Sequence, residues 1–389
     1  MPHNSVRLIF LIFAFGLLAG GCLGKAILVA PALAHLLAVG KGELGWIVSS
    51  TGAAALIVAP FGGWLIDRFG DKRILVASLL LAAATSFAST RAASFNTLLA
   101  IRIIEGVGYT GIVIAGTTLM IRATDGARRA GALSLWACYA PFGVGICLLL
   151  GTALSSQQDW RDVFYVHSIL LLGSILTIPA LPLIPQRIDG PGSAVEIRRG
   201  AASLPVVAIG IAFGLTTFVQ SGMVAASPLY LTTARALPLS EAASFGAVMP
   251  MGAVLGSFIA ASLTGRGVSL AKVAVVAIGL AALAGALIFI PTLDFLSFRA
   301  AIFAFAIGGG LLFSLLTVNI ARVASSKVIG TSTGVINQIS HIGSLLGPPT
   351  FFSLLNYDWR LRAATIVAAC ALTYWSGFRK SGPAMRGAG

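Results

Sequence analysis

Acidic side chains are scarce in this chain. Asp and Glu together number 12 in 389 residues, charged residues of both signs amount to 10%, and histidine and cysteine occur four times each. A water-soluble globule carries roughly a quarter of its residues as charge, so that class is excluded. No H-E-x-x-H pair and no G-x-x-x-x-G-K-S/T loop occurs, which removes zincin and nucleotide-driven pump chemistries. One carboxylate, Glu105, falls inside the apolar runs, so a mechanism built on two acids lacks its second member. Cys22, Cys138, Cys147 and Cys370 sit in separate apolar runs, at separations that suggest neither a metal site nor a disulfide. They read as small packing residues. The expectation is a protein without cofactor or metal, and not an enzyme.

What is abundant is apolar sequence, 57% of all residues. Runs of about 20 such residues cross a bilayer as helices. Twelve can be placed, near 8 to 34, 44 to 65, 74 to 90, 95 to 121, 131 to 155, 162 to 182, 204 to 232, 240 to 264, 272 to 290, 295 to 320, 330 to 355 and 358 to 377. They are too long for barrel strands, and in lipid only a backbone satisfied within itself survives, so the fold class expected is all-α integral membrane. The first run has Arg7 ahead of it and Ala32-Leu33-Ala34 near its end, as a signal peptide would. It is too long for one and Lys25 interrupts it, so it reads as a retained first span.

Charge sidedness tests this map, because a wrong span count would scramble the loops. With the N-terminus in the cytoplasm, seventeen Lys and Arg fall inside, among them Arg7, Arg68, Lys72, Arg73, Arg122, Arg198, Arg199 and Arg379. Seven fall outside: Lys41, Arg91, Arg161, Arg235, Arg299, Arg360 and Arg362. The bias predicts a multi-pass protein of the inner (plasma) membrane with both termini cytoplasmic. The formal charge of +14 then reflects this bias and contact with anionic membrane lipid, with no nucleic-acid partner implied.

Between the second and third runs stands Gly63-Trp64-Leu65-Ile66-Asp67-Arg68-Phe69-Gly70-Asp71-Lys72-Arg73. Its glycines let two helices emerging on one face be joined tightly. Asp67 is favoured wherever it faces a helix N-terminus, while Arg68, Lys72 and Arg73 hold the loop on the positive side. A plain positive-inside turn would explain the cations alone. The full spacing, G-x-x-x-D-R-x-G-x-K-R, resembles the loop signature of the major facilitator superfamily of secondary transporters. That resemblance covers nearly the whole chain. It implies twelve helices in two pseudo-symmetric six-helix bundles, and a conformational latch made by Gly63, Asp67, Arg68, Gly70, Lys72 and Arg73. Asp71 departs from the pattern, since a base usually stands there.

An internal repeat points the same way. A displacement of 199 residues carries Gly131 onto Gly330 and Asp159-Trp160-Arg161 onto Asp358-Trp359-Arg360, and one of 197 carries Pro31 onto Pro228. Parallel repeats of this kind describe the superfamily's halves, whose shared interface holds the substrate near the midplane. The division expected is 1–184 for the first bundle, 185–203 for a cytoplasmic linker rich in Pro, Gly and charge, 204–380 for the second bundle, and 381–389 for a tail. Where the first half has its charged loop, the second reads Gly265-Arg266-Gly267, without an acid.

Three charges lie within spans: Lys25, Arg102 and Glu105. Intramembrane charge is costly and marks function by default. Span four reads Arg102-Ile103-Ile104-Glu105-Gly106-Val107-Gly108-Tyr109, similar to the superfamily's R-x-x-Q/E-G-x-G signature. Arg102, Glu105 and Tyr109 share one helix face, and the glycines admit a close neighbour. At 1.5 Å per residue, Lys25 and Glu105 both lie roughly 14 Å below the outer surface, at a depth where they can meet. One reading is a cluster of net charge +1 that binds an anionic solute through Lys25 and Arg102, with Glu105 as proton carrier. The plainer one is a structural Arg102–Glu105 pair.

The second half offers uncharged groups. Asn337, His341 and Ser344 share a face of span eleven ahead of Gly347-Pro348-Pro349, and span seven supplies Thr216, Thr217, Gln220 and Ser221. A lone His within a span is more often a packing residue than a switch, but beside Asn337 it reads as part of a binding wall. His35 and His167 are weaker candidates. In span five, Leu135-Trp136, Tyr139, Ala140 and Pro141 match the drug/proton antiporter signature only in part. With span four and Gly347-Pro348-Pro349 they resemble more closely the cyanate and nitroimidazole permease group.

The reading that results is a secondary transporter moving a small polar or anionic solute by alternating access, coupled to protons for uptake. Substrate contacts are assigned to Lys25, Arg102, Tyr109, Gln220, Asn337 and His341. The alternatives are a proton-coupled multidrug efflux antiporter and, from another class, a membrane receptor or assembly factor that does not transport.

Overall fold

The structure, a computed structural model, describes residues 6–124, 126–155, 159–181, 203–323 and 329–378. The expected linker, apart from Ser203, and the expected tail lie outside these residues. The described chain is helical throughout. In order come α1 (Val6–Leu37), α2 (Lys41–Phe69), α3 (Asp71–Ser89), α4 (Phe95–Ala123), α5 (Gly126–Ala137), α6 (Tyr139–Ser155) and α7 (Arg161–Ile175). A short 3-10 turn (Ile178–Ala180) follows. Then come α8 (Leu204–Ala234), α9 (Leu239–Gly265), α10 (Leu270–Leu287), α11 (Phe295–Val323), α12 (Ile329–Leu354) and α13 (Trp359–Gly377).

Helices α5 and α6 are two pieces of the fifth span, inclined by 44°. Pro141 has no N–H to give to Ala137, and the helix breaks at Cys138 between them. With that pair counted once, the helices stand one for one where the sequence places twelve spans. Eight of them, α1, α3, α4, α7 with the turn after it, α8, α9, α10 and α11, are by themselves long and apolar enough to cross a membrane.

The helices run past the apolar windows, and this corrects the charged loop. It shrinks to one residue: α2 continues to Phe69, α3 begins at Asp71, and Gly70 alone makes the turn, at φ 84° with its N–H on the Ile66 carbonyl (2.7 Å). Only glycine adopts that backbone without strain. The corresponding turn after α9 uses Gly267 at φ 81°.

Other local features recur at the repeat spacing. Pro31 lies inside α1 and Pro228 inside α8. Ala38 and Ala236 follow those helices in the left-handed region, at φ 49° and 52°. Asp159 Oδ1 accepts from the Arg161 amide (3.1 Å) as Asp358 Oδ1 does from that of Arg360 (2.8 Å), so each Asp-Trp-Arg makes the same side-chain bond at the start of its helix, which begins at Arg161 in the first case and at Trp359 in the second.

Two compact units are distinguished, one of Met1–Asp189 with Ala225–Ala247, the other of Gly190–Val224 with Val248–Gly389. In the first, α1 crosses α6 where Gly20 meets Gly143: a Cβ built on Gly143 would stand 2.4 Å from the Leu17 carbonyl oxygen. Small residues permit such approaches, which dispersion then stabilises in the absence of a hydrophobic drive between helices. A buried core including Ile12, Phe15, Leu79, Ile112, Leu119 and Trp136 fills the rest. In the second unit the same device recurs, with Gly310 of α11 against the Ala253 carbonyl (1.8 Å to a built Cβ) and Gly343 of α12 against that of Gly214 (1.9 Å).

Candidate functional site

Helix α4 brings two charges into the first unit, and α1 supplies the third. Arg102, Glu105 and Lys25 are each 0% exposed. Arg102 and Glu105 stand three residues apart on one helix face and pair directly through Nη1 and Oε2. Lys25 Nζ pairs with the other carboxylate oxygen. From the sequence, Lys25 has no acid of its own; in the structure one carboxylate serves both cations, and the cluster keeps a net charge of +1.

Every polar atom of the cluster is engaged. Lys25 Nζ also donates to Ser86 Oγ of α3 (2.7 Å), lies 3.1 Å from His167 Nδ1 of α7, and sits 4.9 Å from the centre of the Phe164 ring. Arg102 donates from Nη2 to the Cys22 carbonyl (2.8 Å) and from Nε to that of Ile47 (3.4 Å). Ser86 Oγ in turn donates to the Phe164 carbonyl (2.9 Å). Desolvated charges persist only when paired and hydrogen-bonded in this way. Glycines make the room. A Cβ on Gly21 would fall 2.7 Å from His167 Nε2, and one on Gly106 would fall 2.2 Å from the Thr51 carbonyl oxygen.

His167, the weaker candidate of the sequence, is thus inside the cluster, and Ser86 joins it without any motif to announce it. Cys22, Glu105 and His167 place ligand atoms within 4.8 Å of one another, a spacing a metal ion would accept. The carboxylate oxygens there are already taken by the lysine and the arginine, so the set as it stands does not fit a metal ion.

Tyr109, a turn along α4 from Glu105, is buried and shares a hydrogen bond with Tyr139 of α6 (3.0 Å between hydroxyl oxygens). Trp136 packs on the Tyr139 ring at 5.0 Å and donates from Nε1 to Thr117 (2.8 Å). In the second unit, Thr217 of α8 donates to the Ser340 carbonyl of α12 (2.8 Å) and Ser221 to that of Ser344 (3.4 Å). Gln220 lies between them in sequence and turns its amide onto Gly309 of α11, where a built Cβ would stand 1.5 Å from Nε2. His341 is half-buried on α12, and Asn337 one turn earlier is exposed.

Of the expected latch, Gly63 and Asp67 lie on α2 with side chains outside the described residues. Arg68 and Arg73 are exposed. Among the described side chains at this end, Asp71 pairs with Arg122 at the end of α4 (3.1 Å), and Lys72, itself an expected latch member, donates to the Leu181 carbonyl beyond α7. Asp71, the departure from the family pattern, thus forms an ion pair at this end.

The Major Facilitator Superfamily sequence profile matches residues 8–348. The chain belongs to that superfamily. As a major facilitator protein it is a multi-pass membrane protein and a secondary transporter of small solutes, not an enzyme. The chain is 28% identical to the 3-(3-hydroxy-phenyl)propionate transporter of Escherichia coli, over 89% of its own length and 86% of that protein's. It is 31% identical to the 4-hydroxybenzoate transporter PcaK of Pseudomonas aeruginosa over 44% of this chain and 37% of that one. The multidrug export protein EmrB of Escherichia coli matches at 26% identity over 46% of this chain and 34% of that one. Among solved structures, a bacterial homologue of the human lysosomal transporter Spinster shares the fold, with a TM-score of 0.77 and 18% identity over 95% of this chain and 96% of the other.

Proposed function

We propose that this transporter takes up a small aromatic carboxylate together with a proton, across the inner membrane and by alternating access. The observation that carries this reading is the surplus cation buried among Lys25, Arg102 and Glu105. A net positive charge in the apolar interior of a bundle is costly, and a solute anion is the natural counter-charge. The ring follows from the relative matched over most of both chains, named for a phenolic propionate. Uncharged donors and acceptors at Gln220, Asn337, His341 and Tyr109 suit a phenolic hydroxyl. The Lys and Arg bias supports cytoplasmic termini. Asp71 with Arg122, and Lys72 with the Leu181 carbonyl, are read as ties that hold one conformation, in company with Gly63, Asp67, Arg68, Gly70 and Arg73.

The test is uptake of labelled 3-(3-hydroxyphenyl)propionate and 4-hydroxybenzoate into proteoliposomes with an inward proton gradient. Accumulation that a protonophore abolishes supports the reading. The EmrB match favours a second one, export of lipophilic drugs. Proton-driven extrusion of an apolar cationic dye, with no movement of either acid, would establish that instead.

A further inference from the structure

The hydrogen bonds around His167 fix its state. Nε2 faces the Leu18 carbonyl at 2.9 Å, and a carbonyl oxygen only accepts, so Nε2 carries the ring's proton. Nδ1 is then a lone pair, and at 3.1 Å it accepts from the Lys25 ammonium. His167 is a neutral imidazole with one acceptor, and that acceptor is occupied.

The charged and titratable groups facing it are Lys25 and Cys22 on α1 and Arg102 and Glu105 on α4, while α3 presents Ser86. Arg102 is committed to Glu105 and to the carbonyls of Cys22 and Ile47, so it stays where it is. Lys25 is the movable member, a point charge on a flexible stem. Were it to turn toward a solute carboxylate, two acceptors would be left facing one vacancy in a desolvated interior: one oxygen of Glu105 and Nδ1 of His167.

Such a vacancy demands one positive charge. Two positive charges would repel at the 3 Å scale, and none would leave buried acceptors unmatched. From these constraints, and resting on the carboxylate-uptake reading above, we propose that the space between Glu105 and His167 is a one-cation site, held by the Lys25 ammonium in this structure and by a proton when Lys25 binds the solute. The proton comes from the bulk solvent and adds to Nδ1, from which the new N–H faces the Glu105 carboxylate, while Lys25 keeps its own. The anion and the proton then enter together and leave together. Positive coupling between the two ligands follows by linkage, since each empties or fills the place the other requires. His167 is a positioning and proton-holding residue in this scheme, beyond the role given to Glu105.

The test that needs no solute is the His167 ring signal in isotope-labelled protein, assigned by its loss in His167→Asn. Expected is a neutral Nε2–H ring in the wild type from pH 5 to 8 and a titrating ring in Lys25→Met, where the site is empty. A ring that titrates alike in both proteins overturns the proposal. A second measurement uses 3-(3-hydroxyphenyl)propionate in weakly buffered solution with a pH dye. The wild type should take up about one proton per solute bound, and His167→Asn should bind the solute more weakly and, once saturated with it, take up none. His167→Asn keeps a neutral acceptor for Lys25. If it still accumulates the solute on a proton gradient with the wild-type pH profile, the idea fails. A wild type that binds no aromatic carboxylate would sink the functional reading, and the ring titration would still decide the one-cation site.

Discussion

Gly106 of α4 is pressed so closely on Thr51 of α2 that a Cβ in its place would stand 2.2 Å from the Thr51 carbonyl oxygen. The obstacle is backbone, which cannot swing aside, and it lies one residue from Glu105. Gly106→Ala should therefore cost more than the ~1–3 kcal/mol usual for overpacking, and it should shift α4 and move Glu105 off Lys25. Thermal unfolding in detergent checks the cost. A variant as stable as wild type would show that α2 and α4 are not in contact at this point.

The order of stabilities within the ion cluster follows from charge. Lys25→Met leaves Arg102 and Glu105 as a neutral pair, whereas Glu105→Gln leaves two buried cations without an anion. Removing one partner of a buried pair costs about 3–5 kcal/mol, so Glu105→Gln should be the less stable variant by a clear margin. Lys25→Met should fall between that variant and wild type in stability and lose uptake. The reverse order in a thermal-shift series would make Lys25, and not Glu105, the group that holds the bundle together.

These clusters differ in how far the chain announces them. Arg102 and Glu105 stand three residues apart, a spacing that places them together on any helix. The depth of Lys25 can be computed from helix rise alone, which is why its meeting with Glu105 is foreseeable. Ser86 and His167 arrive from α3 and α7, and no local pattern in either helix says which way it will face. The partner of Asp71 is 51 residues away at Arg122, so the sequence shows an unusual acid but not what it binds. The charged loop misleads for a related reason. Hydropathy marks where lipid ends, while the backbone hydrogen-bond ladder continues to Phe69 and stops only at Gly70.

Asp71 and Arg122 should be interchangeable in sign. Asp71→Arg alone places like charges at the end of α4 and should lower the uptake rate several-fold with little change in affinity. Combining it with Arg122→Asp restores the attraction and should restore much of the rate. Failure of the double variant to exceed both single variants, in initial-rate uptake, would show that Arg122 matters through its other contacts.

Ala38 and Ala236 sit in the left-handed region at φ 49° and 52°, where an L side chain costs about 1–2 kcal/mol. Glycine removes that cost but loses more chain entropy on folding, about 0.4–1 kcal/mol. Ala38→Gly and Ala236→Gly should each be neutral to stabilising by at most about 1.6 kcal/mol. A loss of thermal stability in either would mean that the methyl group packs against something.

Asp294 opens α11 from outside the apolar stretch, accepting from the amides of Leu296 and Ser297 (3.0 Å each). Hydrogen bonds from the Ser297 side chain and amide hold its carboxyl below the ordinary 3.8. A depressed value in the folded state means that this cap contributes fully above pH 3.8 and fades as acid protonates it. Protection factors at the first turn of α11, with the intrinsic pH dependence of amide exchange divided out, should fall below that pH and stay level above it. Asp294→Asn, which keeps an acceptor without the charge, should show a flat profile there, and an unchanged acid-dependent profile in that variant would assign the fraying to another group.

Gly309 separates a structural from a functional role for Gln220. A Cβ at position 309 would stand 1.5 Å from Gln220 Nε2, yet the obstacle is the far end of a flexible side chain, which can turn away. Gly309→Ala should accordingly leave thermal stability within about 1 kcal/mol of wild type. If Gln220 contacts the solute, the same variant loses affinity, and Gln220→Ala loses it by a similar factor because the two act on one amide. Binding of 3-(3-hydroxyphenyl)propionate measured by thermal shift reads both effects in one titration. Unaltered affinity in both variants would remove Gln220 from the binding wall and leave it as a spacer between α8 and α11. A fall in Gly309→Ala alone would locate the effect in α11 rather than in the amide.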